Sequence, residues 1–210
     1  MLDSNNKSTS NLDSKFETDE RITLELLSTV DLDSKITQRS IAAKLGIALG
    51  LTNTYLKRCA DKGLVKIKQV PRNRYAYFLT PRGFSEKARL TAEYFKASFH
   101  FFRKSKEDCE KIILNCPLQG HYKIFLSDIS ELAEIFILSA IDSKIEILGI
   151  YDNRKKIYSG IKVFRGFKDS PKHDVVILTA IANSQNRYQE LLTIYKKNEI
   201  IIPKTLNIKR

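Results

Sequence analysis

Two groups of residues in this chain could do chemistry. The first lies between Lys35 and Arg82. There Lys35, Arg39, Lys44, Lys57, Arg58, Lys62, Lys66, Lys68, Arg72, Arg74 and Arg82 are set against one acid, Asp61. A solvated protein face usually mixes its signs. A stretch of one sign finds its counterion in a polyphosphate backbone, and the release of condensed ions drives binding. The second group is Asp128-Ile129-Ser130-Glu131-Leu132-Ala133, followed by Asp152. It stands where a dinucleotide pocket would carry G-x-G-x-x-G/A, with an acid about 20 residues on. Ala133 fits the last position, but Asp128 and Ser130 replace the first two glycines. Ile129 and the Asp128 carboxylate would crowd and repel a pyrophosphate. The frame of a nucleotide pocket is kept without its phosphate cradle, and Asp152 is placed to accept from a sugar hydroxyl.

Other chemistry finds little support. Cys59, Cys109 and Cys116 are odd in number and scattered, which fits reduced thiols of a cytoplasmic protein. His100, His121 and His173 are equally scattered, so no metal site is expected. No G-x-S-x-G or Ser–His–Asp pattern is present. Asp128, Glu131 and Glu134 gather at the start of one helix, where acids offset the helix dipole. No catalytic residues are assigned, and no enzyme is expected. The net charge of +12 calls for an anionic partner without separating DNA from RNA or membrane. No apolar run of about 18 residues exists, so no membrane-spanning segment is expected. Met1-Leu2-Asp3-Ser4-Asn5 lacks the pattern of a secretory signal.

The elements that must position these groups can be read from periodicity. Residues 1–17 are small and polar and are expected to be disordered. A helix is expected from near Thr18, with Asp19 and Glu20 at its positive end and Ile22, Leu24, Leu26, Leu27 and Val30 facing a core. A second helix, Gln38 to Leu45, is capped by Thr37 and stopped by Gly46. A third, Leu49 to Asp61, turns Thr52, Tyr55, Leu56 and Cys59 inward and is stopped by Lys62-Gly63. Strands Leu64–Val70 and Tyr75–Leu79 follow, joined by the basic turn Pro71-Arg72-Asn73-Arg74. Helix, turn, helix, hairpin over residues 18–82 is a winged helix-turn-helix.

Thr80-Pro81 opens a long helix, from about Phe84 to Leu114, over the connecting segment 83–118. Its stripe of Phe84, Ala88, Tyr94, Phe95, Phe99, Phe102, Cys109, Ile112 and Ile113 exceeds what one small domain can cover. The excess face meets a second chain or the C-terminal domain of the same chain; because two-fold dimers match palindromic sites, a homodimer is expected, with Phe95, Phe99 and Phe102 as anchors. Pro117 and Gly120 mark a boundary. Over 119–210, strands Tyr122–Leu126, Lys144–Tyr151, Gly160–Val163, Asp174–Leu178 and Glu199–Ile202 alternate with helices Ser130–Ile141 and Gln185–Lys197. That alternation argues for a small parallel α/β sheet of Rossmann type. The expected fold class is thus an α+β winged helix-turn-helix domain followed by a small α/β Rossmann-like domain.

The stretch LGIALGLTNTYLKRCADKGLVKIKQVPRNRYAYFLTPRGFSEKARL resembles the winged-helix transcription regulators of MarR type found with bacterial exopolysaccharide and sugar-biosynthesis genes. The likeness covers about residues 20–115, with LTPRGFSEKARLT its most specific part. The second half looks like the Rossmann-like domain attached to some of these proteins. Through ILGIYDN and YSGIKVF it is also similar to a domain of acyltransferases that modify polysaccharide sugars. The resemblance implies a bacterial cytoplasmic regulator.

The expected partner is double-stranded DNA. Gly50, Asn53, Thr54 and Lys57 would face the major groove, Gln38, Arg39 and Ser40 the phosphates, and Arg72, Asn73 and Arg74 the minor groove or backbone, with Lys44 and Arg58 as further DNA-binding residues. No cofactor is assigned. A nucleotide or neutral sugar-like ligand would be lined by Ser127, Asp128, Ser130, Asp152 and Thr179 at the carboxyl ends of the strands. Two other functions stay open: a nucleotide-dependent enzyme of sugar metabolism or NADH sensor, and an adaptor using its winged helix for protein contact.

Overall fold

A computed structural model describes residues 9–71, 74–152, 157–166 and 169–209. The chain divides into two compact units, Met1–Ala97 and Ser98–Arg210. In the first unit, α1 (Thr9–Leu32), α2 (Gln38–Leu45) and α3 (Leu49–Asp61) precede β1 (Val65–Val70) and β2 (Arg74–Leu79). The α2 and α3 boundaries are those expected, because caps and stops are local. Thr37 accepts from the Ser40 N–H, and Gly46 adopts φ 64° to close α2. The first helix begins at Thr9 rather than near Thr18. No proline or glycine interrupts residues 9–18, so nothing there stops the helix from extending.

The first core joins Ile22, Leu26, Leu27 and Val30 of α1 to Ile41 of α2 and Tyr55, Leu56 and Cys59 of α3. Val65, Tyr77 and Leu90 close it from the hairpin and the next helix. β1 and β2 pair antiparallel from Val65 opposite Leu79 to Val70 opposite Arg74.

The long helix α4 spans Pro81–Leu118. The Thr80 hydroxyl accepts from the Gly83 N–H and donates to the Gly63 carbonyl, so one side chain caps α4 and pins it to the hairpin. α4 was expected to end near Leu114, ahead of Pro117, but it runs through Pro117 into its last turn. A proline there forfeits a single hydrogen bond of a helix already ending. Gly120, at φ 80°, then lets His121 N–H return to the Cys116 carbonyl. The apolar stripe of α4 is also divided: Leu90 joins the first core, whereas Cys109, Ile113 and Cys116 join the core of the second unit. Between them Phe95, Phe99 and Phe102 are 54%, 60% and 42% exposed.

The second unit is built on β3 (Lys123–Leu126), α5 (Glu131–Ala140), β4 (Glu146–Tyr151), β5 (Ile157–Tyr158), β6 (Ile161–Phe164), β7 (Val175–Ile177), α6 (Ser184–Leu192) and β8 (Ile200–Ile201). The sheet order is β5-β6-β4-β3-β7-β8, parallel except for the β5–β6 pair. β5 was not foreseen, and α6 stops at Leu192 instead of Lys197. There the Thr193 hydroxyl bonds back to the Glu190 carbonyl, competing with further helix. The short strands obey period two. Ile124, Leu126, Val175 and Ile177 face a core with α4 and α5, while Phe125, Val176 and Leu178 face Tyr188 and Leu191 of α6. Helices therefore cover both faces, as a parallel sheet requires.

Candidate nucleic-acid interface and strand-end crevice

α3 presents two opposite faces. Thr52, Tyr55, Leu56 and Cys59 are buried, and Asn53, Thr54 and Lys57 are exposed between them. Gly50, one turn earlier on that exposed face, is also open to solvent. Thr54 Oγ1 donates to the Gly50 carbonyl at 3.1 Å, which leaves the hydroxyl as an acceptor with a methyl beside it. Ala48, just ahead of α3, supplies no side-chain cap. On α2, Arg39 and Lys44 are exposed. Lys66 and Lys68 project from β1, with Lys68 Nζ 5.6 Å from the Phe78 ring centre.

Three of the expected DNA contacts are committed inside the unit. The Arg58 guanidinium lies 3.2 Å from Asp19 of α1 and 4.6 Å from the Tyr55 ring centre. The Tyr55 hydroxyl also donates to Asp19. Burial first, then that carboxylate, raises the Tyr55 pKa. Arg58 thus fastens α3 to α1, a tie across 39 residues that helix spacing alone does not reveal. Gln38 is half-buried and bonds to Tyr77, whose pKa burial raises and that bond opposes. Ser40 serves the cap, its hydroxyl 2.9 Å from that of Thr37. Arg72 and Asn73 lie outside the described residues, and only the strand backbone of Arg74 is described.

In the second unit the five candidates do converge. Ser127 and Asp128 follow β3, Ser130 caps α5, Asp152 follows β4 and Thr179 follows β7. They do not form an open pocket wall of spare hydroxyls. Ser127 and Thr179 are fully buried, and their hydroxyls bond across the strand ends. Thr179 Oγ1 accepts from the Asp128 N–H at 2.9 Å and donates to the Asp128 carbonyl at 2.6 Å. Ser127 Oγ accepts from the Thr179 N–H at 2.9 Å and lies 3.0 Å from the Asp128 carboxylate. Ser130 Oγ donates to the Thr179 carbonyl at 2.5 Å and accepts from Ala133 N–H. These hydroxyls knit β3 to β7, and of the three only Ser130 stands where the dinucleotide pattern has glycine.

A residue the sequence did not single out completes the crevice. Arg187 of α6 reaches the Asp128 carboxylate at 2.8 Å and Glu190 at 2.6 Å, with its guanidinium carbon 5.3 Å from the Tyr151 ring centre. Burial raises the Asp128 pKa, Arg187 opposes the shift, and the charge of buried Asp152 adds to it. Burial lowers the Arg187 pKa, but Asp128 and Glu190 outweigh it and the net shift is upward. The spacing of 59 residues between Asp128 and Arg187 carries no local signal.

Among the described residues no three of His, Cys, Asp or Glu gather as a metal site, and no helix is long and apolar enough to cross a membrane. His173 is a packing residue, its ring 5.0 Å from that of Phe125 and Nε2 3.1 Å from the Tyr195 hydroxyl.

Residues 19–66 match the family described as "Winged helix-turn-helix DNA-binding". The match spans α1 from Asp19, α2, α3 and the start of the hairpin, and within it the exposed residues of α2, α3 and β1 include Arg39, Lys44, Lys57, Lys66 and Lys68. No curated protein matches the chain. Solved structures that overlap with it include a MarR family transcription regulator, 20% identical, over 45% of this chain and 70% of that one, with a TM-score of 0.36. Human N-acetylserotonin methyltransferase in complex with SAM overlaps at 12% identity, over 96% and 81%, with a TM-score of 0.29. TrmBL2, an archaeal chromatin protein, overlaps at 13% identity, over 95% and 77%, with a TM-score of 0.26. Overlaps at such scores carry no weight for fold or function.

Proposed function

We propose that the chain is a sequence-specific DNA-binding transcription regulator of MarR type, acting in a bacterial cytoplasm on polysaccharide or sugar-biosynthesis genes. The observation that carries DNA binding is the exposed face of α3 inside a matched winged helix-turn-helix. α3 enters the major groove as the second helix of such motifs does. Asn53 reads adenine, Lys57 contacts a guanine or phosphate, and Thr54 offers an acceptor. Arg39 and Lys44 hold phosphates, and Arg72, Asn73 and Arg74 form the wing contact. Arg58 acts through position, holding α3 against α1.

The second unit serves as a Rossmann-like sensor or assembly domain. Taken in chain order, its parallel strands β6-β4-β3-β7-β8 lie as 3-2-1-4-5, the order of doubly wound nucleotide folds. The crevice between β3 and β7 is then the switch point where ligands of such sheets bind. One observation favours a second reading, that this domain senses an anionic nucleotide: Arg187 neutralises the carboxylate that would otherwise repel phosphate. Dimerisation through α4, around Phe95, Phe99 and Phe102, follows from the need of a winged helix to read two half-sites.

Binding of the full chain to duplexes selected from a random library, measured at two salt concentrations, tests the DNA reading. A steep salt dependence together with enrichment of one sequence is expected. Absence of any enriched sequence overturns it. Light scattering checks the dimer, and calorimetry with NADH, coenzyme A and nucleotide sugars separates sensor from assembly domain.

A further inference from the structure

The strand-end crevice commits its polar groups to the fold, but a cavity elsewhere in the second unit does not. It encloses about 370 Å³ beside β8, within the range of small-molecule sites. One wall is the end of α4 with the residue after it. Ile112, Asn115, Cys116 and Gln119 follow at i, i+3, i+4 and i+7, which sets them on one face. A helix face that packs on a sheet is usually apolar. Here amides hold two of its four positions. The other wall is β8, the last strand of the sheet. Ile201 gives its carbonyl to the Leu178 N–H on the side of β7. The backbone groups of Ile200 and Ile202, which alternate with it, face away from β7, where no further strand stands among the described residues.

The polar side chains of this lining are uncommitted. Among the described residues, Asn115, Gln119 and Lys197 make no side-chain hydrogen bond or ion pair. Tyr188 of α6 lines the cavity at 2% exposure, and its hydroxyl has no partner either. A hydroxyl so enclosed costs free energy until something bonds to it. The charge of the lining says what would. No acid is part of it, and Lys197 brings one positive charge. Burial pushes the Cys116 thiol up to about 11, so it stays neutral beside an anion. Ammonium, hydroxyl and amide donors suit a carboxylate. Isoleucines, with Tyr188 the one ring in the lining, suit an aliphatic body rather than an aromatic plane. We infer that the cavity beside β8 binds a small aliphatic carboxylate, held by Lys197 and Tyr188 and packed on Ile112 and Ile202. The site stands apart from the DNA reading and from the strand-end crevice.

Calorimetry of the full chain with octanoate, octanol and octylamine tests the site. The three probes share one chain and differ in their head group. Octanoate should bind at least about tenfold more tightly than the other two, because only a carboxylate takes charge-assisted bonds from these donors. Lys197→Met keeps an apolar stem and removes the charge, and it should weaken octanoate about tenfold. Tyr188→Phe removes only the hydroxyl and should weaken octanoate about tenfold as well. The melting midpoint of Tyr188→Phe should not fall below that of the wild type, since the hydroxyl has no partner within the fold. No octanoate binding, equal binding of the three probes, or octanoate affinity unchanged in either variant overturns the site. A lowered midpoint in Tyr188→Phe shows that the hydroxyl serves the fold, and overturns it too.

Discussion

The exposed face of α3 and the strand-end crevice of the second unit are built from similar residue types and used in opposite ways. On α3, Asn53 and Lys57 point to solvent, and Thr54 spends only its proton on its own helix. In the crevice, Ser127 and Thr179 are buried and bonded to the backbone of the neighbouring strand, and Asp128 is held by Arg187. Polar groups committed to a fold stabilise it and are costly to remove; polar groups left in water cost little to remove and can serve a partner. The difference leaves the polar groups of the α3 face open to solvent and commits those of the crevice to the fold.

The largest expected effect tests that contrast directly. Thr179→Val removes the hydroxyl that both accepts from and donates to the Asp128 backbone, orphaning two part-buried groups. The second unit should lose about 2–4 kcal/mol in denaturant unfolding. Thr54→Val, on the open face, should stay within about 0.5 kcal/mol. Equal losses would erase the distinction between the two regions.

Next in size is recognition. Asn53→Ala should cost about 1–3 kcal/mol in binding to the selected duplex and little on random DNA, with stability nearly unchanged. Equal losses on both duplexes would show that Asn53 does not read sequence.

A smaller effect separates neighbours on one helix. Lys57→Ala should flatten the salt dependence of DNA binding by about one counterion. Arg58→Ala should leave the slope unchanged and reduce stability by no more than about 1 kcal/mol, because its pair with Asp19 is half-exposed. A slope lowered by Arg58→Ala would return that residue to the DNA contacts.

The smallest effect is a matter of sign with pH. Backbone N–H groups of Lys123 and Tyr122 lower the Asp174 pKa. Its contribution is present above the ordinary carboxylate value and is lost as pH falls through the folded value. Burial raises the Asp128 pKa, so its contribution is present below the ordinary value and is lost as pH rises through the folded one. In unfolding from about pH 3 to 6, the wild-type advantage should grow with pH over Asp174→Asn and shrink with pH over Asp128→Asn. The same trend in both variants would contradict the environment assigned to Asp128.

What the chain alone determined is what short spans of sequence control. Thr37, Gly46 and Gly63 set helix limits through their own caps and dihedrals, and period-four and period-two patterns separated the inward from the outward faces of α3 and the sheet strands. The approximate places of β3, β4 and β7, and so the meeting of Ser127, Asp152 and Thr179, followed from alternation of strand and helix. Tertiary structure alone decided which polar groups remain available. Asp19 claims Arg58, Tyr77 claims Gln38, and Arg187 answers Asp128. It also divided the apolar stripe of α4 between two cores. Such pairings join residues tens of positions apart, and they depend on side chains meeting in space, which no local periodicity encodes.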